Sequence, residues 1–453
     1  MGSLDHLMSE IAASRPVRHA GRCLAIRDNL VEVAGLDEVA AIGDLVAFGT
    51  DNDARRGEVI GISNDRVTVL PEGAADRLST RDRVLHLGPS ALQPADAWIG
   101  RVIDPFGAPL DGAPLPRGRE ERPLTAAPPP PLERRAMGAR LETGLRLFNT
   151  ILPVVRGQRI GLFAGAGVGK TTLLAQLARG IEADVVVIAL VGERGREVND
   201  FLDRALGPVG RARAVVVAAT SDRSALARRR CLPAAMTVAE HFRAAGRHVL
   251  LLADSITRHA EAHREIALAA GEKPVLDGYP PSLVPVITAL CERAGPGHGA
   301  EGDITAILSV LMAGSDAEGV VADTIRGVLD GHVLLDRTIA ERGRFPAVDV
   351  LRSVSRSLPA AARETENAAI SDVRAVLSLH ERSEVMVQAG LHVPGADPAI
   401  DRALALAPRL DTFFGASEHA GIGASFAALE AILAGADREP DALGRADAAP
   451  FPA

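Results

Sequence analysis

The stretch Ala164-Gly165-Ala166-Gly167-Val168-Gly169-Lys170-Thr171-Thr172 constrains this chain more than any other, because it puts a lysine where composition argues against one. Of the 50 lysines and arginines only Lys170 and Lys273 are lysine, and the rest are arginine. A phosphate-binding loop explains the choice. Small residues let successive backbone N–H groups turn inward around phosphate oxygens. The Lys170 ammonium then reaches the β- and γ-phosphates as a compact charge, and the Thr171 hydroxyl is placed to ligate Mg²⁺. Gly167 and Gly169 are expected to take the left-handed backbone angles of the wrap. Ala164 stands where the pattern begins with glycine, and the competing reading is a glycine-rich turn ahead of a helix. Context favours the phosphate loop: residues 159–164 read as a short apolar strand, and residues 171–179 carry leucine and alanine at helical spacing.

Length and charge bound the remainder. A chain of 453 residues, 47% hydrophobic and 24% charged, has material for two or three cores. A net charge of −8 and 3% aromatic residues argue against a nucleic-acid surface. The one run of three basic residues, Arg228-Arg229-Arg230, reads as a solvated helix face. Cys23, Cys231 and Cys291 are too dispersed for a disulfide framework or a zinc site, which fits a reducing cytosol. No signal peptide is evident, and the longest apolar runs, such as residues 185–191, are strand length.

Punctuation by Gly, Pro, Asp and Asn divides the chain. Short alternating runs at 30–33, 45–48, 58–62, 66–70 and 83–87 predict a small β-barrel. The proline-rich stretch 114–131 is an extended connector or, alternatively, a ligand for a proline-reading domain. Strand candidates at 159–163, 184–190, 214–218, 248–253 and 304–311 alternate with helical stretches, the pattern of a parallel α/β sheet. Helices are expected over 363–390 and 399–414. The fold class is therefore α/β: a P-loop NTPase core with a parallel sheet, preceded by a small N-terminal β-barrel and followed by a C-terminal helical domain. Expected units are 1–19 (amphipathic segment), 20–90 (barrel), 91–360 (ATPase), 361–435 (helical) and 436–453 (a frayed tail). In the first, Leu4, Leu7, Met8 and Ile11 fall on one face of a short helix, leaving partner docking and a disordered start as alternatives.

Two further elements belong with the loop. The run His248-Val249-Leu250-Leu251-Leu252-Ala253-Asp254 ends an apolar strand on a carboxylate, which either holds Mg²⁺ or caps the following helix. The segment Gly192-Glu193-Arg194-Gly195-Arg196-Glu197 follows another strand, and a glutamate there is placed to polarise the water that attacks the γ-phosphorus. Spacing alone does not choose between Glu193 and Glu197.

Taken in order, the loop, Gly192-Glu193-Arg194, Asp254-Ser255-Ile256-Thr257-Arg258, Gly278-Tyr279-Pro280-Pro281-Ser282, Leu329-Asp330-Gly331-His332, Phe345-Pro346-Ala347-Val348-Asp349 and Ser353-Val354-Ser355-Arg356 resemble the rotary-type ATPase superfamily of ATP synthase catalytic subunits. Within it, Arg264-Glu265-Ile266-Ala267-Leu268-Ala269, Glu292-Arg293-Ala294-Gly295 and Pro394-Gly395-Ala396-Asp397-Pro398 are similar to the flagellar and type III secretion export ATPases. The resemblance implies an ATP hydrolase that powers protein export with Mg²⁺. Glu193 would be the catalytic carboxylate, Arg194 a phosphate-contacting arginine, and Asp254 the metal-side acid beside Thr171. Phe345 would stack on adenine, and Arg356 would be the arginine finger lent to a neighbouring site.

Because Glu193 and Arg356 occur in one chain, the resemblance implies a homohexameric ring with head-to-tail contacts. It also implies a stator-like regulatory protein at the N-terminal helix. Export chaperones, cargo, a central stalk and the export gate would lie on the C-terminal side. The location implied is cytoplasmic, peripheral to the inner-membrane export apparatus, with no nucleic-acid partner. Two stretches depart from the family pattern: Met312-Ala313-Gly314-Ser315-Asp316 is less acidic, and Phe413-Phe414-Gly415-Ala416 replaces a glutamine-containing segment. The alternatives are a catalytic subunit of a rotary synthase or proton-translocating ATPase, an RNA translocase of the terminator type, and a regulator that binds nucleotide without hydrolysing it. Phe48 is the only aromatic between Gly21 and Leu87, few for an RNA-stacking barrel.

Overall fold

The computed structural model describes residues 18–49, 55–312 and 319–435. The segment carrying Leu4, Leu7, Met8 and Ile11, residues 313–316 of the departing stretch, and the tail from residue 436 lie outside the described residues. Six strands, β1 (Ala20–Arg27), β2 (Leu30–Ala34), β3 (Leu45–Phe48), β4 (Arg55–Ser63), β5 (Arg66–Pro71) and β6 (Arg83–Gly88), close a barrel in the order β1-β2-β5-β4-β3-β6. In β2 the alternation is visible residue by residue: Val31 and Val33 are fully buried while Leu30, Glu32 and Ala34 keep partial exposure.

The central sheet runs β14 (Val348–Ser355), β13 (Gly331–Leu335), β8 (Arg159–Ala164), β12 (Asp303–Leu311), β11 (Val249–Asp254), β9 (Val185–Val191), β10 (Ala214–Ala219) and β7 (Val102–Ile103). Every residue of β9 is buried, as a strand covered on both faces by helices must be. Along this order neighbours pair in parallel except β14, which runs antiparallel to β13 with Gly331 opposite Ser355 and Leu335 opposite Val348, and off it the two-residue strand Gly295–Pro296 also lies antiparallel to β12. That edge pair was not legible as strands, because glycine, histidine, arginine and serine interrupt its apolar residues. Helix α1 (Lys170–Gly180) follows β8, α2 (Ala225–Ala244) packs on β9, α3 (Ile256–Ala269) follows β11, and α4 (Val320–Val328) precedes β13.

Beyond the sheet come α5 (Glu364–Gln388), α6 (Pro398–Gly415) and α7 (Ile422–Leu433). The last was not anticipated. Its sequence, IGASFAALEAIL, mixes small residues into the apolar face and blurs the helical period. The apolar side chains of all three helices join the core beneath the phosphate loop, including Val373, Leu410, Phe414 and Leu429.

The Arg228-Arg229-Arg230 cluster is not a solvated helix face. Arg228 pairs with Glu265 at 2.8 Å, Arg229 contacts Glu58 of β4, and Arg230 is buried with its Nε donating to the Pro105 carbonyl at 2.9 Å. Arg56 of the barrel and Arg230 of α2 each lie 4.8 Å from the centroid of the Phe106 ring. Arg223 reaches Glu72 at 2.7 Å. The cluster thus fastens the barrel to the nucleotide-binding core.

The sheet's rigidity matters because its carboxyl edge carries the site. Leu252, 1% exposed, lies two residues before Asp254 in β11. Leu252→Ala is expected to destabilise the protein by about 2–5 kcal/mol. A urea titration followed by fluorescence of the single tryptophan, buried Trp98, checks this, and an unchanged midpoint would contradict it.

Candidate active site

Four adjacent strands deliver the site. The ends of β8, β12, β11 and β9 lie side by side, in register, along one edge of the sheet, where an open α/β sheet binds its ligands. The phosphate loop leaves β8 after Ala164, Asp254 ends β11, and Gly192-Glu193 follows β9. Gly167 and Gly169 have φ of +77° and +85°, left-handed as their role requires. At Gly165 and Gly167 an added Cβ would meet nothing within 4 Å, so open space lies above the loop. Beyond it is a cavity of about 760 Å³ lined by Gly165, Lys170, Thr171, Glu193, Arg258 and Tyr279, among others.

Lys170, Glu193 and Asp254 come together. Lys170 Nζ contacts Asp254 Oδ1 and lies 3.8 Å from Glu193 Oε1. The Asp254 carboxylate also accepts a 2.9 Å bond from Ser309 Oγ, which sits on the neighbouring strand at the same level. Helix α3 is capped by Ser255, whose side chain accepts from the Arg258 N–H at 3.3 Å, so Asp254 does not serve as the cap and its carboxylate faces the site. Burial, and then the Asp254 carboxylate, push the Glu193 pKa up to about 7. Lys170 opposes that rise, and a hydrogen bond with Glu197 adds to it. Between the two acidic candidates, Glu193 is the one held close to Lys170, whereas Glu197 is half exposed and paired with Arg194 at 3.7 Å.

Thr171 and Thr172 are exposed in the first turn of α1, and Val168 is buried beneath the loop. Ala166 lies in the wall of the cavity. No group of three or more His, Cys, Asp or Glu residues is arranged to hold a metal among the described residues. The remaining expected residues stand elsewhere. Arg194 is 81% exposed and turned to solvent beside Glu197. Phe345, half exposed, stands on the other side of Gly169, where a Cβ on that glycine would lie 3.1 Å from its ring. Arg356 lies at the opposite end of the sheet. Ala164 is level with Leu335, Leu335 pairs with Val348, and Ser355 pairs with Gly331 four residues earlier in β13. That offset is about 13 Å at the rise of a β-strand, so the exposed Arg356 guanidinium cannot serve its own chain's phosphate loop.

Several residues in or behind the cavity wall had no assigned role in the sequence. Arg258 packs over Gly192 and pairs with Glu261 at 2.9 Å, Tyr279 carries Arg264 over its ring at 4.9 Å, and Ser309 fixes Asp254. Arg258 and Tyr279 fall inside quoted motifs; the signal for Ser309 is weak, a polar residue in the apolar second half of a strand that also carries Asp303 and Thr305.

Residues 144–355 match the ATP synthase alpha/beta family, nucleotide-binding domain, and residues 362–431 match the T3SS EscN ATPase C-terminal domain. The chain is 40% identical over 440 residues to the flagellum-specific ATP synthase of Caulobacter vibrioides, covering 94% of this chain and 98% of the relative. It is 42% identical over 385 residues to the type 3 secretion system ATPase of Sinorhizobium fredii, covering 84% of each. The assembled ATPase EscN of enteropathogenic E. coli, solved in complex with its central stalk EscO, superposes with a TM-score of 0.84 at 35% identity, over 91% of this chain and 100% of that one. The match of the C-terminal helices favours an export ATPase over a rotary synthase subunit or an RNA translocase. The chain belongs to the family of flagellar and type III secretion ATPases, enzymes that hydrolyse ATP to energise protein export.

Proposed function

We propose that this chain hydrolyses Mg-ATP at the junction between two copies of itself in a homohexameric ring, with the phosphate loop and Glu193 from one copy and Arg356 from the next. The observation behind this reading is the register that leaves Arg356 at the far end of the sheet from Lys170. A finger that cannot act within its own chain acts on a neighbour's nucleotide, and repeating that contact around a closed ring gives every copy one site. The relative solved as an assembled ATPase with its central stalk supports the same reading, and a stalk at the C-terminal helices of this chain is part of it. So are a stator-like regulator at the N-terminus, export chaperones with their cargo, and the export gate. The unit boundaries near residues 90 and 360 belong to the proposal too. No helix among the described residues is long and apolar enough to cross a membrane. A cytoplasmic position, peripheral to the inner-membrane export apparatus, is the location proposed.

The residues suit a magnesium nucleotide. Thr171 offers an exposed hydroxyl and Asp254 a buried carboxylate. The lack of a larger ligand cluster among the described residues accords with a cation that keeps its waters and takes most other ligands from phosphates. When bound, Mg²⁺ neutralises charge on the β- and γ-phosphates. The chain does the rest. Backbone N–H groups from Gly165 to Thr172 cradle the phosphates, Lys170 contacts them, Arg194 joins it only by swinging in from its solvent-facing position beside Glu197, and Phe345 stacks on adenine. Ionised Glu193 orients the attacking water and accepts its proton, and Arg356 of the neighbour balances charge developing on the transferred phosphoryl group.

In its ionised form Glu193 is the base, and its pKa is raised to about 7. The acid limb of kcat/KM is therefore expected to climb as pH rises through about 7, since that parameter reports the free enzyme. Glu193→Gln should lower kcat by about 10²–10⁴-fold and flatten the limb. A limb that survives the substitution would assign the titration to another group.

The ring reading is tested by the steady-state ATPase rate across protein concentration. Rate per subunit should rise as the ring assembles, and Arg356→Ala should lower the plateau on the order of 10³-fold. A rate independent of concentration and insensitive to the substitution would refute both the ring and the finger.

A further inference from the structure

The loop 336–347 between β13 and the edge strand β14, which opens on a short helix over Arg337–Glu341, reaches in two directions. On one side, the Phe345 ring lies against Gly169, close enough that a Cβ there would sit 3.1 Å from ring atom Cδ1. On the other, the same loop is tied to the C-terminal helices. Arg342 Nη2 reaches Glu384 of α5 at 3.3 Å, and Arg344 Nε lies 2.9 Å from Asp411 of α6. The Arg344 side chain is almost buried, with its guanidinium 5.7 Å from the centroid of the Phe414 ring. Its Nη2 donates to the Val348 carbonyl at 2.8 Å, which closes the loop on itself around Phe345. At the end of α6, a Cβ on Gly415 would come within 3.1 Å of the Phe345 carbonyl oxygen, so helix and loop backbones touch directly.

Beside the shared apolar core, α6 is thus linked to the phosphate loop in two steps: Asp411 and Gly415 on Arg344-Phe345, and Phe345 on Gly169. An arginine buried at this point is hydrogen-bonded to a carbonyl on the loop and ion-paired with a carboxylate on the helix, while its Nε and Nη1 make no hydrogen bond. Burial lowers its pKa, and the nearby Asp411, Asp349 and Asp336 carboxylates offset that only in part. Moving α6 would move Arg344, and with it the ring that Gly169 touches.

We propose that Arg344 is a positioning residue: it holds Phe345 at the adenine position, and through Asp411 it makes adenine affinity depend on where helix α6 lies. The inference rests on the reading of Phe345 as the adenine-stacking residue. It gives the C-terminal helices a physical route to the nucleotide site that does not pass through the sheet.

The test uses the full-length chain and two ligands, Mg-ATP and inorganic tripolyphosphate, which offers phosphates without a base. Arg344→Ala should raise the KM for ATP by about three- to tenfold with kcat within about twofold, as loss of binding shared by ground and transition states does. Inhibition by tripolyphosphate should be unchanged, whereas a merely structural role would weaken both ligands together. Asp411→Asn, at a half-exposed position that leaves the fold intact, should shift the KM in the same direction by a smaller factor. Phe345→Ala should raise the KM as well, and adding Arg344→Ala to it should change nothing further, because Arg344 acts through the ring. If Phe345→Ala raises the KM while Arg344→Ala and Asp411→Asn do not, the inference fails and adenine stacking stands. If Phe345→Ala leaves the KM unchanged, adenine stacking fails and the inference falls with it.

Discussion

The contact of Lys170 with Asp254, with Glu193 3.8 Å away, is the interaction on which the rest of the site depends. These side chains are 12%, 7% and 19% exposed, and charges so withdrawn from water persist only if they are paired. Burial and then the adjacent Asp254 carboxylate push the Glu193 pKa up to about 7, and the one ammonium that serves both carboxylates offsets this only in part. A site in that state is short of positive charge before any polyphosphate arrives. Arg258 is paired with Glu261 and Arg194 is turned to solvent beside Glu197. A divalent cation and an arginine from outside the chain are what the electrostatics lack, and both belong to the proposed mechanism.

Everything around that contact serves to hold it in place. The apolar strands β8, β9, β11 and β12 deliver the loop, Glu193 and Asp254 to one edge, and Ser309 fixes the aspartate from the adjacent strand. The barrel is secured to the core by the Arg56-Phe106-Arg230 stack and by ion pairs from Arg223 and Arg229. The C-terminal helices bear on the other flank through Arg342 and Arg344. The nucleotide edge is therefore gripped from both ends of the chain.

Much of this was legible in the sequence because local rules and tertiary context agreed. The lysine in an arginine-rich chain, its glycines and the apolar run before them specified the loop, and the alternation in residues 30–33 specified a barrel strand. What was not legible depends on distant neighbours. Arg228-Arg229-Arg230 looked solvated because nothing local reveals that Glu58, Glu265 and Pro105 come to meet it. The edge pair β13 and β14 was hidden by its polar residues, and α7 by its small ones. In the site, Lys170, Glu193 and Asp254 follow from motifs, but the place of Arg356 is a matter of register across β13 and β14, which no motif states.

If each site is made of two copies of this chain, mixing two inactive variants should rebuild it. Glu193→Gln keeps Arg356 and Arg356→Ala keeps Glu193, so either alone forms rings without a complete site. Mixed before assembly, they place an intact Glu193 beside an intact Arg356 at some of the junctions. ATPase activity, nearly absent from each variant, should reappear in the mixture and be greatest near equal proportions. A mixture no more active than its components, in rings verified to contain both, would contradict a site made of two copies.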